Sequence, residues 1–296
     1  MSAVDLAGVQ KTLLLPLWGR AVEAAKAHPL LVDQTAADIV AAIGYDFSTI
    51  ARNISFVSRL AWIARSIHAD RTIREFLVRH PAATLVNLGC GLDTTFERVD
   101  NGTIVWYDLD LPDVIELRRK YIPERDRRRL MACSILDDRW MKQIAAGDAV
   151  FFLASGVFYY FDEAQVKALL IRLADAFPGS ELLFDACSPR GLRVANQRVI
   201  KAGGMDDSAL LKWGLAHARD LQAWDSRIAI LEVYPEFRNM KHGLSLKEKY
   251  GTFLSDSLRI MSMVHLKLGT RPREARLTCP ADSCAALQMR AAPPTG

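Results

Sequence analysis

Up to about residue 80 the apolar positions do not alternate as strands do, and they predict helices over 9–26, 34–43, 55–69 and 71–80. Breaks fall at His28-Pro29 and around Gly44 to Ser48. This part, residues 1–80, is expected to form a helical cap. From Pro81 the pattern changes to short apolar runs at 84–88, 103–107, 129–133, 149–153, 181–185, 228–233 and 260–268, with helical stretches at 112–120 and 163–177. Strands alternating with helices in this way predict an α/β fold with a Rossmann-like, doubly wound, mostly parallel seven-stranded sheet, its last two strands forming an antiparallel edge hairpin. The sheet domain is expected over 81–268. Within it 186–227 loosens into a Gly- and Arg-containing stretch with Trp213 and Trp224, read as a lid. Beyond Gly269 prolines replace the periodicity, and 269–296 is expected to be a disordered tail.

Composition narrows the class. Half of the 296 residues are hydrophobic, enough for one large core. Against 38 basic residues stand 34 acidic ones, a net charge of +4 that is too balanced to point to nucleic acid or an anionic membrane surface. There are five cysteines, an odd number, and no Cys-x-x-Cys or His-rich spacing, so no metal is expected. No apolar run reaches the ~20 residues that span a bilayer, and no leader pattern opens the chain. A reduced, cytoplasmic, soluble protein acting on a small molecule is the expectation.

The chemistry is concentrated in residues 84–112. Gly89 and Gly91 follow the first strand of the sheet, where a chain can turn tightly under a ligand only if no Cβ intrudes. The second strand should deliver Asp108 and Asp110 to its C-terminal edge, where a carboxylate accepts hydrogen bonds from both hydroxyls of a ribose. A dinucleotide fingerprint would place a third glycine where this chain has Thr94. Asp93 would repel a diphosphate and suits a ligand carrying an ammonium and a sulfonium. S-adenosylmethionine is therefore favoured over NAD.

Five motifs, in order, resemble a known family. They are Thr12-Leu-Leu-Leu-Pro-Leu with Arg20, Val86-Asn-Leu-Gly-Cys-Gly-Leu-Asp-Thr, Tyr107-Asp-Leu-Asp-Leu-Pro, Ser155-Gly-Val-Phe-Tyr-Tyr-Phe and Trp213-Gly-Leu. Over about residues 8–268 the chain is similar to the leucine carboxyl methyltransferase family of class I S-adenosylmethionine-dependent enzymes, in the branch of the tetracenomycin-type polyketide O-methyltransferases. The resemblance implies that Gly89 and Gly91 approach the methionine part of the cofactor, and that Asp110, with Asp108 as second choice, holds the ribose. It also implies that Ser134 and Ile135 flank the adenine, with Asp137 near its amino group, and that Arg65, assisted by Arg20, pairs with the cofactor carboxylate. Ser155 departs from the family's eukaryotic members, which carry glutamate there, and so puts in doubt a contact to the cofactor amino group.

Methyl transfer from a sulfonium is an in-line displacement, so positioning dominates. A carboxylate acceptor is already ionised at neutral pH and needs no base. A phenol or alcohol would use one, and His242 and His217 are the histidines placed to serve, with Tyr159 and Tyr160 as further catalytic candidates. Lys241, Arg190 and Arg193 are candidate contacts for an acidic acceptor. Two other classes stay open. An NAD-dependent oxidoreductase would need the missing glycine and a Tyr-x-x-x-Lys relay. A catalytically silent cofactor-binding module would have no physical need of Gly89, Gly91, Asp110 and Arg65 together.

Overall fold

A computed structural model describes residues 12–205, 207–240 and 244–269. Four helices come first: α1 (Leu14–Ala24), α2 (Gln34–Ala42), α3 (Ser48–Asn53) and α4 (Phe56–Arg79). Asp33 caps α2 by accepting from the Ala36 N–H at 3.0 Å, and Ser55 caps α4 by accepting from Ser58. The two helices expected over 55–80 are one, because the stretch around Asp70 holds neither Gly nor Pro to break it. Asp70 faces inward instead and is paired by Arg98.

The sheet follows in the order β1 (Thr84–Leu88), α5 (Thr95–Val99), β2 (Val105–Asp110), α6 (Pro112–Tyr121), β3 (Arg128–Ala132), β4 (Val150–Ala154), α7 (Glu163–Ala176) and β5 (Glu181–Cys187). Then come α8 (Pro189–Ala195), α9 (Asp220–Trp224), β6 (Ala229–Pro235), α10 (Leu246–Ser257) and β7 (Met261–Lys267). The strands lie β3-β2-β1-β4-β5-β7-β6, parallel through β5, with β7 antiparallel to both β5 and β6. This is the mostly parallel sheet with an antiparallel edge that the periodicity predicts. β1, β4 and β5 are buried along their whole length, as central parallel strands covered on both faces must be. Winding reverses between β1 and β4, and the C-terminal ends of the strands beside that reversal are where such sheets hold ligands.

β2 begins and ends later than its apolar run implies. Residues 101–104 form a turn in which the Asn101 side chain accepts from the Thr103 and Ile104 N–H groups, and the strand runs on through Asp108 to Asp110. That shift decides the fate of the two acids. The stretch 186–227 holds α8, a π-helical turn at Asn196–Lys201, a single 3₁₀ turn at Asp207–Ala209 and α9. α10 was not foreseen. Its Ser245-x-x-Glu248 capping box is legible, but Leu246, Tyr250, Phe253 and Leu254 are exposed and only Thr252 is buried.

No described helix is long and apolar enough to cross a membrane. The described cysteines, Cys90, Cys133 and Cys187, are free, and no group of metal-ligating side chains gathers among the described residues. The expected tail, 269–296, lies outside the described residues apart from Gly269.

Candidate functional site

A cavity of about 570 Å³ opens at the C-terminal ends of β1, β4 and β5, between them and the helices α1 and α4. Its size suits a small-molecule site. One wall is polar and is formed by Arg20, Arg65, Gly89, Asp93, Ser155 and Tyr159. The rest is largely apolar and includes Trp62, Val199, Leu211, Phe237, Leu254 and Met261.

The glycine turn forms because β1 must leave the sheet at once. Gly89 and Gly91 have φ of +64° and +48°, a backbone region that side chains other than glycine's rarely adopt. A Cβ at Gly91 would lie 2.6 Å from Leu13 Cδ2, and one at Gly89 would lie 2.8 Å from Val157 Cγ2. The missing Cβ therefore makes room for apolar side chains of the protein, and the positive φ independently favours glycine at both positions. Asp110, at the end of β2, accepts the Gly91 N–H at 2.7 Å and its own neighbour's, Leu111, at 2.8 Å. Burial lifts its carboxyl to a pKa of about 6, against the pull of those two amides.

Asp108 is not a ribose ligand. It is fully buried, with Arg118 Nη2 at 2.7 Å and Nε at 3.1 Å on one oxygen and Trp106 Nε1 at 2.9 Å on the other. Arg118 also donates to the Gly91 and Asp93 carbonyls at 3.0 and 2.7 Å. One side chain from α6 thus fixes both the strand acid and the loop above it. The pair is scaffold beneath the turn, and Asp108 sits on it because β2 extends two residues beyond it.

Asp93 lines the cavity, yet its charge is balanced. Burial alone would raise its pKa, and Arg20, Arg98 and Arg118 more than reverse this and hold the group ionised. Asn87 donates to it at 3.0 Å and Thr95 Oγ1 at 3.0 Å. With three guanidinium groups around it, Asp93 is a weaker barrier to a diphosphate than its sign alone implies. Arg20 and Arg98 belong to a buried network: Arg20 Nε and Arg98 Nη1 both meet Asp33 at 2.9 Å, Arg98 Nε meets Asp70 at 2.8 Å, and Arg20 Nη2 reaches the Leu92 carbonyl at 2.9 Å. The network ties α1, α2 and α4 to the glycine turn.

Arg65 projects from α4 into the cavity wall. Its Nη1 meets Asp185 at 2.9 Å and donates to the Tyr159 hydroxyl at 3.2 Å, while the other Asp185 oxygen takes the Gly156 N–H at 2.6 Å. Burial works against its charge, but Asp185 and Tyr159 outweigh it and raise the Arg65 pKa. Gly156, at φ +79°, leaves room for that guanidinium: a Cβ there would lie 2.9 Å from Arg65 Nη1. Ser155 borders the cavity beside it.

The remaining candidates divide. Tyr159 and Tyr160 line the cavity, and burial pushes both phenols up, Tyr159 well above its ordinary value with Asp185 adding to the effect. Both are therefore protonated donors near neutral pH. Gly91, Asp110, Ser134 and Ile135 do not line the cavity; the last two lie next to Asp110, whose carbonyl accepts from the Cys133 N–H at 2.9 Å. Ser134 Oγ accepts from Leu136 and the Ile135 carbonyl from Trp140 Nε1. Asp137 is committed to Arg139, which holds it near 2. His217 is exposed and away from the cavity, so it is no base for a ligand there. His242 and Lys241 lie outside the described residues. Arg190 borders the cavity and Arg193 does not.

Two acids at this site were missed. Asp185 lies two residues before the C-terminal end of β5, near the ligand edge, a legible place for a polar group. Glu236, directly after β6, carries no local signal at all.

A doubly wound sheet with a glycine turn after β1, an acid ending β2 and a cavity at the winding reversal defines the nucleotide-cofactor-binding class to which the S-adenosylmethionine-dependent methyltransferases belong. Residues 14–174 match the leucine carboxyl methyltransferase family. The chain is 34% identical over 222 residues to the tetracenomycin polyketide synthesis O-methyltransferase TcmP of Streptomyces glaucescens, covering 74% of this chain and 80% of that protein. It is 36% identical over 203 residues to the S-adenosyl-L-methionine-dependent methyltransferase dpfgK of Gibberella zeae, covering 62% and 67%. A candidate methyltransferase of Thermobifida fusca shares the fold, with a TM-score of 0.55 and 16% identity over 85% of this chain and 94% of that one. The chain belongs to the leucine carboxyl methyltransferase family and is an S-adenosylmethionine-dependent O-methyltransferase. The residues present fit that cofactor: a positive-φ turn offers backbone at the cavity edge, and an acid ends β2 beside it.

Proposed function

We propose that the protein transfers a methyl group from S-adenosylmethionine to a carboxylate oxygen of a polyketide-like small molecule. The observation that carries this reading is the set of O–H groups on the cavity wall. Tyr159, Tyr160 and Glu236 all border the cavity, and burial favours the protonated, hydrogen-bond-donating form of each. Donors around a largely apolar space suit an acceptor that is already anionic, which needs no general base. TcmP, named for its part in polyketide synthesis, supports the polyketide-like part of this reading.

In this reading Asp110 holds the ribose hydroxyls, Ser134 and Ile135 flank the adenine, and the backbone at Gly89 and Gly91 follows the methionine part. Arg65 pairs with the cofactor carboxylate. Ser155 borders the same end. The segment 186–227, which brings Val199 and Leu211 to the cavity, covers the acceptor as a lid. The cofactor supplies an electrophilic methyl group, and the protein's work is to align the acceptor oxygen at roughly 3 Å from it and to keep water out.

Asp110 provides a pH test. Ribose hydroxyls donate to its ionised form, and its pKa stands at about 6. Affinity for S-adenosylhomocysteine should fall as pH is lowered through 6, by up to tenfold per unit below it, and binding near pH 6 should release protons. The effect on folding has the opposite sign: a raised acid pKa contributes stability that is present below about 3.9 and lost as pH rises through 6. Titration calorimetry in buffers of different ionisation heat checks both sign and pH. A flat profile between pH 5 and 7.5 would remove Asp110 from the site.

A further inference from the structure

We propose that Glu236, held as a neutral carboxylic acid, donates a hydrogen bond to a carboxylate oxygen of a ligand bound in the cavity. Glu236 is 3% exposed, contributes to the cavity wall, and its Oε2 is buried with no hydrogen-bond partner. Its backbone is pinned from behind, where the carbonyl lies 2.8 Å from His68 Nε2. The residue is thus held in place while one of its carboxyl oxygens is left unmatched. A buried polar atom without a partner costs free energy, and a ligand oxygen bonded to this carboxyl would recover that cost.

The groups around it decide which form the carboxyl takes. Asp185 on β5 and Asp256 on α10 disfavour its ionisation, Arg65 on α4 favours it, and Tyr159 stands beyond Arg65. His68, also on α4, has its own pKa lowered, first by burial, and adds no charge near neutral pH. Arg65 Nη1 and the Gly156 amide both bind Asp185, and neither bonds Glu236. Burial is the largest influence on Glu236 and Asp185 the next, and Arg65 does not offset them, so its pKa lies well above the ordinary carboxylate range. A neutral carboxyl carries one O–H, and an apolar site keeps such a group a donor at pH 7. Its natural complement is an anionic oxygen, with which it forms a short, charge-assisted bond.

The inference rests on the cofactor reading above. Two ligand carboxylates have this chemistry, that of the methionine part of the cofactor and that of the acceptor. Two probes separate them: S-adenosylhomocysteine, and 2-naphthoate added to protein saturated with S-adenosylhomocysteine. Glu236→Gln keeps a neutral N–H donor of the same shape, whereas Glu236→Ala removes it. Calorimetry at pH 7 should show one probe weakened about ten- to a hundredfold by Glu236→Ala and within threefold of wild type in Glu236→Gln. Loss for S-adenosylhomocysteine identifies the cofactor carboxylate as the partner, and loss for 2-naphthoate alone identifies the acceptor. As pH rises and Glu236 ionises, wild-type affinity for that probe should fall while that of Glu236→Gln stays level. A Gln variant as impaired as the Ala variant would show that the carboxylate is required and would overturn the proposal. An Ala variant indistinguishable from wild type towards both probes would overturn it too. Failure of the wild type to bind S-adenosylhomocysteine would instead sink the cofactor reading.

Discussion

Arg118→Met is expected to destabilise the fold by about 3–5 kcal/mol, the usual cost of leaving one member of a buried ion pair uncompensated. Arg118 is 1% exposed, and Asp108 beneath it is fully buried. No water reaches Asp108 to replace the guanidinium. The same substitution strips donors from the carbonyls of Gly91 and Asp93, so the loop that borders the cavity loosens along with the strand below it. Urea unfolding measures the loss. A double variant, Asp108→Leu with Arg118→Met, should recover much of it, because replacing both charges removes the uncompensated group. If the single variant proves as stable as wild type, the pair is not the support of the glycine turn described here.

Arg65→Met should be comparably damaging for a different reason. It leaves Asp185 buried without its partner, an expected loss of about 3–5 kcal/mol in stability, and it removes the cation assigned to the cofactor carboxylate. The two consequences separate in the double variant Arg65→Met with Asp185→Leu. Stability should return in part, whereas affinity for S-adenosylhomocysteine should stay at least about 2 kcal/mol below wild type, as truncating one side of a buried charged contact costs 2–5 kcal/mol. Recovery of both together would mean that Arg65 only supports Asp185 and touches no ligand.

The fold was legible wherever hydrophobic period settles it. The alternating runs gave every strand of the sheet within about two residues at most ends, and the glycine turn and Asp110 stand where the motif implies. β2 shows what period leaves open. Asp108 and Asp110 share one face of the strand by alternation, and only the strand's true end separates a buried scaffold acid from one at the rim. The partner that makes Asp108 a scaffold acid, Arg118, arrives from α6, which no local pattern announces. The same holds for Arg65 with Asp185, 120 residues apart, and for Arg98 with Asp33, 65 apart. Long-range pairs of charged groups leave no periodic trace, so Asp93 appeared as an isolated negative charge when it is ringed by arginines. Glu236 was invisible for the same reason. Burial, which makes it a donor, comes from helices and strands distant in sequence.

The most direct test of the central claim, that the turn after β1 and the acid ending β2 form the cofactor site, is calorimetric titration of S-adenosylhomocysteine into wild-type protein and Asp110→Ala at pH 7.5. Saturable binding by the wild type, weakened by about 1.5–3 kcal/mol in the variant as lost hydrogen bonds to a charged group would require, is the predicted result. Equal affinity in the two proteins, or no binding by the wild type, would contradict it.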